Sequence, residues 1–208
     1  MAVIPLFPLN LVLFPSVPLP LHIFEERYRA LVNRCIEEQI PFGVVYHKGE
    51  SMETIGCSAV IQEVIKRYDD GRLDILTVGG ERFEIESLDE SGLYLEATVR
   101  YLPDESEPED QALVESAVNA ILKYAFYAEV SLDRRTLAAL SPTQLSFLIA
   151  GIDVIGMETK QELLALDHPE HRLRRATEKL GEANRQLVAE AQLKKVTGTD
   201  IDISGLMN

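Results

Sequence analysis

The chain has 208 residues, 46% of them apolar and 26% charged, which is enough to build one large domain or two modest ones and is not the composition of a disordered chain. Thirty-four acidic side chains against 20 basic ones give a formal net charge of -14, which repels phosphate backbones and anionic lipid surfaces. The densest basic group, Arg172, Arg174, Arg175 and Lys179, is interleaved with Glu170, Glu178 and Glu182, so neither nucleic acid nor membrane is expected as a partner.

The opening stretch from Met1 to Phe24 is apolar, yet Pro5, Pro8, Pro15, Pro18 and Pro20 forbid a continuous helix and no basic region precedes it. It therefore reads as neither a signal peptide nor a membrane span, and the cytoplasm is the expected compartment. Between Pro8 and Pro15, Leu9 to Phe14 reads as a strand apolar on both faces. From Glu25 to Gln39 the period changes: Tyr28, Leu31, Val32, Cys35 and Ile36 recur at helical spacing among charged neighbours, predicting an amphipathic helix that Pro41 stops. Phe42 to His47 is a strand-length run. Cys35 on the helix and Cys57 in the next strand both sit in apolar contexts, as buried hydrophobes rather than as a disulfide.

Runs separated by turn residues follow: Ile55 to Tyr68, Leu73 to Val78, a hairpin turn at Gly79-Gly80, Arg82 to Leu88, and Tyr94 to Leu102. In the last run Leu95, Ala97, Val99 and Tyr101 alternate with polar neighbours, the two-residue period of a half-buried strand. An antiparallel meander or small barrel is the expected result. Pro103 to Asp110, rich in acids and proline, can bury nothing and reads as a linker over 104–110. Beyond it the pattern is helical: Gln111 to Tyr127, Leu132 to Leu140, Pro142 to Ile155, Thr159 to Leu166, and a long helix from Pro169 to about Lys195 with Leu173, Ala176, Leu180, Leu187 and Val188 on its apolar face. Ser141 before Pro142, and Asp167-His168 before Pro169, mark helix starts. The chain thus divides into a β part over 1–103, the linker, a helical bundle over 111–196 and a polar tail over 197–208.

Three passages, IPLFPLNLVLFPSVPLPLHIFEERYRALV, IGCSAVIQEVIKRYDDGRLDILTVGGERFEIESL and YLEATVRYLPDE, together resemble the LON domain, the amino-terminal substrate-recognition domain of ATP-dependent Lon proteases. SPTQLSFLIAGIDVIGMETKQELLALDHPEHRLRRATEKL is similar to the helical segment that follows it. The resemblance implies an α+β chain, with a PUA-like antiparallel β pseudo-barrel carrying one amphipathic helix, followed by an α-helical bundle. It further implies a module that binds unfolded or partner polypeptides.

No G-x-x-x-x-G-K-[ST] loop, G-x-S-x-G elbow or H-E-x-x-H motif is present, so no catalytic residue, cofactor or metal is expected. His168 and His171 in DHPEH have a spacing that a metal can use, but a helix start capped by Asp167 accounts for the same residues. Phe24, Glu25, Glu26, Arg27 and Tyr28 form the candidate peptide-binding rim, an apolar anchor beside mixed charge; the competing reading makes the charges a solvated first helical turn. The expectation is a non-catalytic protein-binding module, monomeric or weakly dimeric through the last helix. An RNA-binding PUA-like protein and a hydrolase with an unrecognised site are the alternatives.

Overall fold

The computed structural model describes residues 2–49, 51–104 and 110–197, with side chains as far as residue 192. Six strands, β1 (Ala2–Leu9), β2 (Pro18–Ile23), β3 (Phe42–Lys48), β4 (Ser51–Arg67), β5 (Leu73–Asp89) and β6 (Glu96–Tyr101), lie in the order β2-β5-β4-β3-β1-β6, and β6 returns to pair with β5. Five strands therefore close into a barrel. β2 adds to the Leu73–Val78 half of β5, while β6 takes the Phe83–Asp89 half. To the expected antiparallel pairs the structure adds one parallel pair, β1 with β3, made possible by the helix α1 (Glu26–Glu38) in the crossover between them.

Two expectations about the strands are corrected. The first strand is Ala2–Leu9, not Leu9 to Phe14; the segment after Leu9 leaves the sheet, and Leu13 and Phe14 fill the core from a loop. Gly79-Gly80 is no hairpin turn, because β5 runs unbroken through it for 17 residues. Gly79 is there for close approach: a Cβ would lie 2.0 Å from the Phe14 carbonyl oxygen, and the loop docks on it through Gly79 N–H to Val17 O (3.0 Å) and Ser16 N–H to Gly79 O (2.8 Å).

Strand alternation sorts the core into two layers. Ile4, Leu6, Val45, Phe83, Ala97 and Val99 fill the barrel, and Gly43 leaves room there for Phe83, whose ring would be 2.7 Å from an added Cβ. Phe7, Phe42 and Val44, on the opposite faces of the same strands, join Tyr28, Leu31, Val32 and Cys35 of α1 and the apolar faces of the later helices. Those helices are α2 (Gln111–Tyr127), α3 (Arg134–Ala138), α4 (Pro142–Gly151), α5 (Met157–Ala165) and α6 (Pro169–Thr197). Ser141 and Gln144 close a capping box at the start of α4, and Asp110 caps α2 by accepting from Leu113 N–H. On α6 Leu173, Ala176, Leu180 and Ala183 are buried, whereas Leu187 and Val188 are half-buried.

The acidic stretch after β6 departs most from expectation. Residues 105–109 lie outside the described residues, as does the tail from 198, but Asp104 is not solvated: its side chain is only 21% exposed. It accepts from Arg82 Nη2 of β5 (2.9 Å) and from Arg172 Nη1 and Nη2 of α6 (3.0 and 2.9 Å). Both arginines are buried. Arg82 Nη1 also donates to the Leu164 and Leu166 carbonyls, and Arg172 to Leu166 O and Ser146 Oγ, with its guanidinium 3.9 Å from the Phe147 ring centroid. Asp167 faces Arg82 at 3.5 Å, a second carboxylate beside the pair. Gln161 of α5, donating to Ile55 O of β4 at 2.9 Å, pins the helices to the barrel nearby.

Removing one partner from a buried charge group strands the others without solvent, at a cost of about 3–5 kcal/mol. Asp104→Ala should lower the unfolding free energy in urea by that amount. Glu84→Ala, which breaks only an exposed pair with Arg100, should cost less than about 1 kcal/mol in the same titration.

Candidate functional site

Helix α1 starts beside a cleft of about 450 Å³. Its floor is made by Tyr28 and by Phe7 of β1, whose rings stack with centroids 4.0 Å apart. Tyr28 is held there because it falls on the buried stripe of α1, and burial pushes its phenol above the ordinary value of 10.0; Arg27 pulls the other way and Glu25 adds to the rise. Glu25 occupies the N-cap position but its carboxylate makes no capping bond. It accepts instead from Arg27 Nε at 3.0 Å, and Arg27 thereby hangs over the Tyr28 ring with its guanidinium 4.5 Å from the centroid.

The walls come from elsewhere in the chain. Leu6, Pro8 and Leu9 belong to β1, His47 and Met52 to the β3–β4 hairpin, and Glu90, Tyr94 and Leu95 to the β5–β6 connection. That last wall is tied back to α1, since Arg34 donates to the Tyr94 hydroxyl (3.2 Å) and also pairs with Glu96 and Glu38. Of the five residues expected at the rim, Glu25, Arg27 and Tyr28 meet in this cleft. Glu26 is exposed outside its lining, and Phe24, 61% exposed, turns to His22 with ring centroids 6.0 Å apart. Phe7, Leu9, His47, Met52, Glu90, Tyr94 and Leu95 were not singled out in the sequence, because only strand register brings them together.

A second groove of about 480 Å³ runs between the end of α1 and the Val60–Val64 segment of β4, lined by Cys35, Ile36, Ile40, Val60, Ile61 and Val64. It offers apolar surface with Gln39, Gln62 and Glu63 and lacks the aromatic floor and paired charges of the first. The rings of His168 and His171 are exposed with centroids 5.1 Å apart, and among the described residues no group of three or more His, Cys, Asp or Glu side chains is arranged to hold a metal ion.

Residues 3–182 match the family described as the ATP-dependent protease La (LON) substrate-binding domain. The chain belongs to that family. Lon protease 2 of Syntrophobacter fumaroxidans is 28% identical over 194 residues, covering 85% of this chain, and Lon protease 2 of Herpetosiphon aurantiacus is 26% identical over 97% of it. The chain spans about a quarter of the length of these relatives, 25% and 26% respectively. Two solved structures share the fold. The N-terminal domain of the Mycobacterium avium complex Lon protease superposes with a TM-score of 0.73 at 19% identity over 87% of this chain and 99% of that one. A Lon N-terminal domain protein from Xanthomonas campestris gives 0.65 at 24% identity over 91% and 98%. The match is to the substrate-binding domain and not to a catalytic domain.

Both thiols of this LON domain are free and buried. Burial pushes Cys35 from the ordinary 9.0 up to about 12, Arg34 opposing and Glu38 assisting, and it raises Cys57 further. A raised folded value means that the stabilising contribution is complete below the unfolded value near 9.0 and is lost as pH rises toward the folded one; Tyr28 and Tyr101, both raised by burial, act in the same sense. Lys160, lowered by burial while donating to Gly151 O at 3.1 Å, acts in the opposite sense. Two thiols, two phenols and the Lys48 ammonium, raised by its pair with Glu158, stand against the single lowered ammonium of Lys160, so the urea midpoint should fall as pH rises from about 8 to about 11. At neutral pH iodoacetamide should leave both cysteines of the folded chain unlabelled and modify both in urea, as mass spectrometry would read directly.

Proposed function

We propose that this chain is a non-catalytic recognition module, cytoplasmic, that binds unfolded or partner polypeptides in the cleft between α1, β1 and the β5–β6 connection. The observation that carries the reading is the cleft itself, where the stacked Phe7–Tyr28 floor and the Leu9, Met52 and Leu95 walls offer apolar contact directly beside Glu25, Arg27 and Glu90. An extended peptide buries one or two side chains in such a floor and leaves its backbone and neighbouring groups at a polar rim, which tolerates many sequences. Membership of the substrate-binding family supports the same reading. The residues supply docking and no covalent step, and ATP with casein should give no cleavage by the pure protein.

Fluorescence anisotropy of a labelled, reduced and carboxymethylated protein, which stays unfolded, tests the proposal. Saturable binding is expected, weakened about tenfold or more by Leu9→Asp or Met52→Asp, as truncated or repelled anchors are. Phe24→Asp, outside the cleft, should change the affinity less than about twofold, within the scatter of rim substitutions. Absence of saturable binding, or equal losses in all three variants while circular dichroism shows them folded, would overturn it.

A further inference from the structure

We infer that the cleft selects extended segments in which a lysine or arginine adjoins a bulky apolar side chain, the cation replacing Arg27 over the Tyr28 ring. This rests on the recognition reading above and narrows its substrate class.

The first ground is what the rim can accept. Glu25 and Glu90 contribute carboxylates, and the side chain of Glu25 is 42% exposed despite its pair with Arg27. The open edge of β1 adds another acceptor. Leu6 donates its N–H to Leu95 O at 2.8 Å, away from β3, and in a strand the residue two further on points its backbone the same way. That residue is Pro8, so the edge presents a carbonyl there and no N–H. Among the lining residues only Arg27 and His47 carry basic nitrogen, and the Nε and Nη2 of Arg27 already face Glu25. A group with donors and no acceptor complements such a rim, and lysine and arginine side chains are those groups.

The second ground is the occupant already present. A guanidinium sits over the Tyr28 face at 4.5 Å, on a side chain 52% exposed, so the face takes a cation while its holder remains at the surface, where a competitor reaches it. The third is the net charge of -14, which draws cationic segments toward the surface before contact. The apolar neighbour would settle on the floor and on Leu9, Met52 and Leu95.

Three fluorescein-labelled peptides with the same leucine and phenylalanine positions, and Lys, Gln or Glu between them, give the test by anisotropy. The Lys peptide should bind about fivefold or more tighter than the Gln peptide, the Glu peptide weakest, and the spread should shrink as NaCl rises from about 0.1 M to about 1 M. Glu25→Gln and Glu90→Gln should each weaken the Lys peptide about threefold or more while leaving the Gln peptide within about twofold. Arg27→Gln should tighten the Lys peptide, a direction that loss of a purely structural pair would not produce. Equal affinity for all three peptides, unmoved by these variants, overturns the charge selection and leaves polypeptide recognition standing. Failure of every peptide, together with the unfolded protein used above, overturns both.

Discussion

Two buried arginines share one carboxylate, and the placement of the helical half depends on it. Arg82 lies in the middle of β5, Arg172 in the first turn of α6, and Asp104 just after β6, so the group joins barrel, connection and bundle at one point. Two cations cannot be buried beside one anion without further acceptors, and the carbonyls of Leu164 and Leu166 at the end of α5 supply them. Those carbonyls are orphans of a helix end, which need donors in any case. Each half therefore satisfies a requirement of the other. Desolvation offsets much of the Coulombic gain in such a group, and its larger effect is on which arrangement is tolerated, because any other docking angle leaves a charge unpaired.

How much of this was legible follows from the range of the signals. Helix α2 is legible to the residue and the starts of α4 and α6 at Pro142 and Pro169, because capping residues, proline at the first turn and the 3.6-residue period are local, whereas α4 ends at Gly151 and not at the expected Ile155. The buried stripe of α1 was legible for the same reason. Gly79 is misread because a glycine pair in a polar-apolar run has the same local signature whether the chain turns or a loop approaches; the loop is Phe14 to Val17, more than 60 residues earlier in the sequence, and no local pattern encodes it. Asp104 is misread through composition: a stretch of acids is solvated on average, and Arg172, though fully buried, stands in a basic group interleaved with acids. Neither residue signals its burial without the other.

The cleft divides along the same line. Glu25, Arg27 and Tyr28 are consecutive or nearly so, and the first turn of an amphipathic helix brings them to one rim. Phe7 reaches Tyr28 only because β1 lies beside β3 in parallel register, and Tyr94 only because Arg34 ties its connection to the helix. Phe24 is expected at the rim as an apolar anchor beside mixed charge, but it follows the last residue of β2 and precedes the helix, and its ring lies against His22.

The prolines of the opening segment bear on how a polypeptide could be held. A barrel that carries an extra strand has open edges, and open edges recruit strands without regard to side chains. Here β2 has Pro18 and Pro20, both exposed and spaced so that they point the same way in the sheet, and the free end of β1 has Pro8. The outer part of β4 is broken by register shifts between Cys57 and Ala59, Ile61 and Glu63, and Val64 and Lys66, and carries Glu63, Lys66 and Arg67. Each edge thus lacks donors or lacks regular spacing. Strand addition, which would give affinity through the backbone of any extended chain, is disfavoured at all three. On the proposed reading recognition must then come from side chains entering the cleft, and selectivity is set by what Phe7, Tyr28, Glu25 and Glu90 can accept.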